Sequence, residues 1–194
     1  NNTGNTALMI ASEKGHFEIV KLLIVAHADV NSQSSTGDTA LMITLSYGHL
    51  EIVKFLLSAN ASIKIKNNTG NTALMIASEK GYLEIVKLLI AAHADVNLQN
   101  NSGNTALMFA SDKGHIEIVK LLIIANADIN LSNNNGMTAL IYASNNNQRN
   151  LIELLEERNS IIQRNIKNIN LNLLKAASNG DLEKVKSALN NGAK

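Results

Sequence analysis

The chain of 194 residues contains no cysteine, no proline and no tryptophan, and its aromatic side chains are three Phe and three Tyr. Without cysteine there is no disulfide, no thiolate metal site and no cysteine nucleophile. So few rings leave scarce stacking platforms for bases, and a formal net charge of +1 supplies no field to attract a phosphate backbone. Nucleic acid is therefore not an expected partner. No apolar run reaches the roughly 18 residues of a membrane-spanning helix; VKLLIVAHA and VKLLIIANA are shorter and flanked by polar residues. A soluble chain without a membrane span is expected.

Hydrophobic residues make up 45% of the chain and are mainly Leu, Ile, Val, Ala and five Met, which suits thin helices in close contact. They are arranged periodically. Residues 1–31 read NNTGNTALMIASEKGHFEIVKLLIVAHADVN, and residues 67–97 repeat them with three changes, His16 to Tyr82, Phe17 to Leu83 and Val25 to Ala91. A looser copy, STGDTALMITLSYGHLEIVKFLLSANASIK, halves the interval. Gly4, Gly37, Gly70, Gly103 and Gly136 stand 33 apart, each followed by Thr-Ala-Leu at Thr6, Thr39, Thr72, Thr105 and Thr138.

Within a copy, TALMIASEKG reads as a short helix. The Thr hydroxyl accepts from the first unpaired backbone N–H groups, and Gly15, Gly48, Gly81 or Gly114 ends the helix in a left-handed conformation. HFEIVKLLIVA follows as a second helix, with apolar residues on most sides and Glu18 and Lys21 on an exposed edge. It closes at His27, Asn60, His93 and Asn126, where a left-handed residue is again expected, because Asn and His are enriched among non-glycine residues there. The stretch DVNSQSSTGD has no helical period and fits an extended finger with a tight turn. One such pair cannot bury its own apolar faces, so stability requires stacked copies.

These residues resemble the ankyrin repeat, a 33-residue unit. GNTALMIASEKGHFEIVKLLIVAHADVN follows the family pattern at most fixed positions. The resemblance implies an all-α solenoid of helix–turn–helix units with short finger hairpins. Five repeats are expected over residues 1–160 (1–33, 34–66, 67–99, 100–132 and 133–160), then an irregular junction at 161–170, then a sixth helix pair at 171–194 as a partial repeat. The family proline is Ala in every copy, and the family histidine is Met9, Met42, Met75, Met108 or Ile141. Apolar packing by thioethers is expected to replace that histidine's hydrogen bonds. Copy two has Ser62 and Lys64 where its neighbours have Asp and Asn, so its finger is expected to be less regular. Copy five loses the helix-ending glycine at Asn147 and resembles a capping unit. Since the sequence opens without Met and inside a repeat, it reads as an excerpt of a longer protein.

No catalytic set emerges. His16, His49, His115, His27 and His93 recur with the period and lack zinc-ligand spacing; the GDTA and GNTA turns lack a phosphate-loop context; no GxSxG elbow is present. No enzyme activity, cofactor or metal is expected. The Asp29, Asp95 and Asp128 series reads as a hairpin stabiliser, and the Glu18/Lys21 positions repeat as a mixed-charge solvated face at 51/54, 84/87 and 117/120.

What the resemblance implies about function is recognition of a protein partner, of unspecified identity, on a concave surface, with the chain a monomer. The implied surface contains the finger tips Asn2, Thr3, Ser35, Thr36, Asn68, Thr69, Asn101, Ser102, Asn134 and Asn135. It also takes in Asn5, Asp38, Asn71, Asn104 and Met137 just after each turn. First-helix ends complete it: Glu13, Lys14, Ser46, Tyr47, Glu79, Lys80, Asp112 and Lys113, with Asn145 and Asn146 in the same register. Tyr47 departs from the Lys of Lys14, Lys80 and Lys113, which makes it the expected anchor. Asn31, Asn97 and Asn130 resemble ankyrin asparagines that an asparaginyl hydroxylase modifies, with a Leu eight residues before each and an acid two before. The alternative is a targeting arm of a larger protein, a host-directed effector included, whose enzymatic domain lies outside the sequence. A cytoplasmic location, or the host cytoplasm for a secreted effector, goes with these readings.

Overall fold

The computed structural model describes residues 4–193, so Asn2 and Thr3 lie outside the described residues. Each threonine of the period starts a helix. The first-layer helices are α1 (Ala7–Glu13), α3 (Ala40–Tyr47), α5 (Ala73–Lys80), α7 (Ala106–Lys113) and α9 (Ala139–Asn145). Second-layer helices alternate with them: α2 (Phe17–Val25), α4 (Leu50–Ser58), α6 (Leu83–Ala91) and α8 (Ile116–Ile124). Then come α10 (Arg149–Ser178) and α11 (Leu182–Asn190), with no strand among the described residues. The chain divides into two compact units, residues 1–151 and 152–194.

Local chemistry explains the first unit's elements. Each cap threonine has extended backbone, and its hydroxyl accepts from the N–H three residues on, as Thr39 does from Met42 at 3.3 Å. The methionines do more than pack. In the first and third copies the Met9 and Met75 sulfurs accept the Thr6 and Thr72 N–H groups at 3.4 and 3.5 Å, completing a capping box with a thioether as acceptor. His27, Asn60, His93 and Asn126 all take positive φ, between 59° and 65°. So does Asn147 at 54°, which keeps the turn that glycine makes in the earlier copies.

Stacking supplies the burial that one pair lacks. First-layer helices pack in sequence, α1 on α3 on α5 on α7 on α9, and second-layer helices do likewise from α2 to α8. Leu8, Leu41, Leu74 and Leu107 are at most 2% exposed, and Val20, Val53, Val86 and Val119 are fully enclosed. The dependence on a neighbour is direct: Ile19 is 48% exposed, whereas its counterparts Ile52, Ile85 and Ile118 are 2–3% exposed between two repeats.

One core position carries an unpaired hydroxyl in three copies. Ser12, Ser78 and Ser111 are fully buried, and their hydroxyls have no hydrogen-bond partner, whereas copy two has Leu45 at the same position. A buried unpaired hydroxyl costs about 1 kcal/mol or more, so Ser12→Ala, Ser78→Ala and Ser111→Ala are each expected to stabilise the fold by about 0.5–1 kcal/mol. Urea unfolding measures this; a loss of stability in any of the three would mean that the hydroxyl is satisfied in solution.

Residues 161–170 are not an irregular junction: they lie inside α10, a single helix of 30 residues. Between Gly136 and Gly180 the sequence has neither glycine nor proline, and Ile152, Leu155, Ile162, Ile166, Ile169, Leu173 and Ala176 recur at helical spacings of three, four or seven, so nothing stops the helix. The second helix of copy five therefore runs on past residue 160, the bound expected for that repeat. In the second unit Gly180 has φ 66°, and Asp181 caps α11 by accepting from Lys184 N–H at 3.1 Å.

Candidate partner-binding surface

The fingers are held by asparagine. Asn67, Asn100 and Asn133 sit at the base of successive turns. Each carboxamide oxygen accepts two N–H groups across its own turn, Asn100 from Ser102 at 3.0 Å and Asn104 at 2.9 Å, for example. Each amide then donates to the preceding finger, Asn67 to Asp38 Oδ1 at 2.8 Å, Asn100 to Asn71 Oδ1 at 2.7 Å and Asn133 to Asn104 Oδ1 at 2.7 Å. At the tips, Asn68, Asn101 and Asn134 donate to the carbonyls of Ser35, Asn68 and Asn101 at 2.9–3.0 Å. The expected surface residues Asp38, Asn71, Asn104, Asn68, Asn101 and Asn134 are thus committed to a ladder that joins finger to finger. Asn67, Asn100 and Asn133 were not among the sequence candidates, although their 33-residue recurrence was a readable signal.

Outside the ladder, Thr69, Ser102 and Asn135 occupy the turns above these asparagines, and Met137 N–H donates to Asn133. At the first-helix ends Lys14 pairs with Glu13 and Lys113 with Asp112, both at 2.8 Å. That pairing with Lys113 holds the Asp112 carboxyl below the usual carboxylate range, aided by Asn146, which donates to its Oδ1 at 3.1 Å. Lys80 is the basic residue of the last turn of α5, beside Glu79.

Between the first two copies the surface is indented. A recess of about 350 Å³ is lined by Glu13 and Asn5 of copy one and by Ser34, Ser35, Thr36, Asp38, Ile43, Ser46 and Tyr47 of copy two. It gathers seven of the residues read from the sequence and adds Ser34 and Ile43. Tyr47 is 55% exposed, and its ring lies parallel to His49, with centroids 6.2 Å apart and planes 9° apart. Asp38 is oriented by its bonds from Asn67 and from the Thr36 hydroxyl at 2.7 Å. The recess therefore offers an exposed ring, a fixed carboxylate and several hydroxyls.

Histidine has a structural task. His49 and His115 place Nε2 at 3.2 and 3.1 Å from the Glu13 and Glu79 carbonyls, at the C-terminal end of the preceding repeat's first helix. Each ring fills the space beside Gly15 or Gly81, where a Cβ would lie 2.8 or 2.6 Å from it. Among the described residues no group of three or more His, Cys, Asp or Glu could hold a metal ion, and no helix is long and apolar enough to cross a membrane.

Asn31 and Asn97 also link repeats: their oxygens accept from Ser62 N–H at 2.8 Å and Asp128 N–H at 2.7 Å. The backbone N–H groups of Asn31, Asn97 and Asn130 each donate to the aspartate two residues before at 2.9 Å, which is the hairpin bond read for Asp29, Asp95 and Asp128. The backbone bond from Asn31 is the main reason that the Asp29 carboxyl sits below its ordinary range.

The family model for ankyrin repeats (3 copies) matches residues 8–100 and again residues 87–168. No curated protein matches the chain.

Proposed function

Because the chain belongs to the ankyrin-repeat family, whose repeats are generally protein–protein interaction modules, we propose that it binds a protein partner on its finger and first-helix surface, with Tyr47 as anchor. The observation that carries this reading is the Tyr47 recess. A half-exposed aromatic ring stands at a position that holds Lys in copies one, three and four, and the His49 ring lies parallel to it. Tyr contributes large contact area with few torsions to freeze, which is why it recurs at binding hot spots. The finger ladder serves the same end, since a preorganised surface loses less entropy on binding.

Affinity capture from a lysate with the full chain, followed by mass spectrometry, supplies the partner. Tyr47→Ala is then expected to weaken binding by about 2 kcal/mol, roughly thirtyfold, while Lys21→Ala on the second-helix face changes it little. Circular dichroism checks that both stay folded. If Tyr47→Ala binds like the parent and Lys21→Ala loses affinity, the recognition face lies elsewhere.

A further inference from the structure

The joints between repeats are not equivalent. Two linkages recur along the stack, one at each end of the second-layer helix. At its start, His49 and His115 reach the Glu13 and Glu79 carbonyls, and Gln148 reaches the Asp112 carbonyl at 3.2 Å in the next joint. After its end, the Asn31 and Asn97 oxygens accept the Ser62 and Asp128 N–H groups.

Both linkages are missing between repeats two and three. Tyr82 takes the histidine's place: its ring fills the space beside Gly48, but it makes no hydrogen bond to the Ser46 carbonyl, the counterpart of Glu13 and Glu79. Lys64 takes the asparagine's place and has no acceptor to offer Asp95 N–H. An opening of about 500 Å³, lined by Lys64, Thr72, His93, Asp95 and Leu98 among others, lies at this joint. The fingers remain tied here, through Asn67 to Asp38 and Asn68 to Ser35. By contrast, the joint between repeats one and two has both linkages and an edge-on ring pair, Phe17 with Phe55, with centroids 5.7 Å apart.

We propose that the joint between repeats two and three is a built-in break, at which α1–α4 open as one cooperative pair of repeats while α5–α8 stay folded. In a stack whose stability sums repeat terms and nearest-neighbour terms, the weakest interface sets where the array divides. Two absent hydrogen bonds are enough to change the population of such an opening by about tenfold or more. The bonds that remain across this joint include those of the fingers, Asn67 to Asp38 and Asn68 to Ser35, and that of Lys66 Nζ to the Gln99 carbonyl at 2.9 Å. The pair that opens contains the Tyr47 recess, which is formed only while both of its repeats are folded.

Hydrogen exchange of the full chain, read by mass spectrometry, tests this. The expected pattern is one shared level of protection over α1–α4 and a step of about tenfold or more on crossing into α5. The variant Lys64→Asn/Tyr82→His restores both linkages and is expected to abolish the step. The converse variant, Asn31→Lys/His49→Tyr, removes them from the first joint and is expected to create a step between α2 and α3. Fraying of a terminal repeat alone would instead give a gradual decline toward residue 4. The proposal is overturned by a uniform level over α1–α8, by a gradual decline without a step, or by a step that survives Lys64→Asn/Tyr82→His. Should that variant fail to fold, the parent and the converse variant still decide.

Discussion

Gly103→Ala is expected to destabilise the protein by about 3–4 kcal/mol, and Gly136→Ala by only about 1–2 kcal/mol. The two glycines occupy the same place in successive finger turns and have left-handed φ values of 80° and 73°. Any L-residue meets the left-handed penalty at either site. The difference is what a Cβ would meet. At Gly103 it would lie 2.8 Å from Asn133 Cα and 2.8 Å from Asn134 N, backbone atoms of the next finger, whereas nothing lies within 4 Å at Gly136. Asn134 cannot retreat without loosening its bonds to the Ser102 and Asn101 carbonyls. Urea denaturation of both variants separates conformational strain from the cost of prising two fingers apart. Equal losses in the two would show that the fingers are not in close contact.

Leu74→Ala is expected to cost about 3–4 kcal/mol, the range for a large buried aliphatic that leaves a cavity its surroundings fill only in part. Leu74 is 2% exposed in α5, which packs on α3, α6 and α7, so the cavity would open inside the stack. Leu22, 69% exposed on α2, is the matched control, and Leu22→Ala is expected to change stability by under about 0.5 kcal/mol. Thermal and denaturant unfolding measure both. A small loss for Leu74→Ala would mean that the first-layer helices do not form the core.

The Asn ladder explains why so polar a surface can be rigid. Among the described residues the finger segments have no strand pairing and little apolar burial, so their order depends on side chain-to-backbone bonds within each turn and amide bonds between turns. Copy two shows the economy of the device: Ser34 stands where Asn67, Asn100 and Asn133 stand. Its hydroxyl accepts from Thr36 and Asp38 N–H at 3.3 and 3.2 Å, longer than the asparagine bonds. Ser34 and Tyr47, residues by which copy two departs from its neighbours, both line the recess.

Much of the fold was legible because it is local. A threonine cap, a helix of about two turns, a left-handed stop and a second helix are set by residues within a few positions of one another, and the 33-residue period then requires stacking. The positive φ at His27, Asn60, His93 and Asn126 was readable for the same reason. The long α10 was misread because its sequence lacks the repeat's marks. The absence of glycine and proline from 137 to 179 was the better guide, since a helix ends only where something ends it.

The sequence by itself determined the period, the caps, the chirality of each turn and the apolar faces, all consequences of backbone sterics and short-range bonding. Only the tertiary structure decided which polar residues face solvent and which bind the next repeat. Asn67 meets Asp38 and His49 meets the Glu13 carbonyl across 29 and 36 residues of chain, at distances that the stacking geometry fixes. Tyr47, Asp38 and Glu13 likewise share one recess because successive repeats are laid side by side, which brings together groups that no local rule relates.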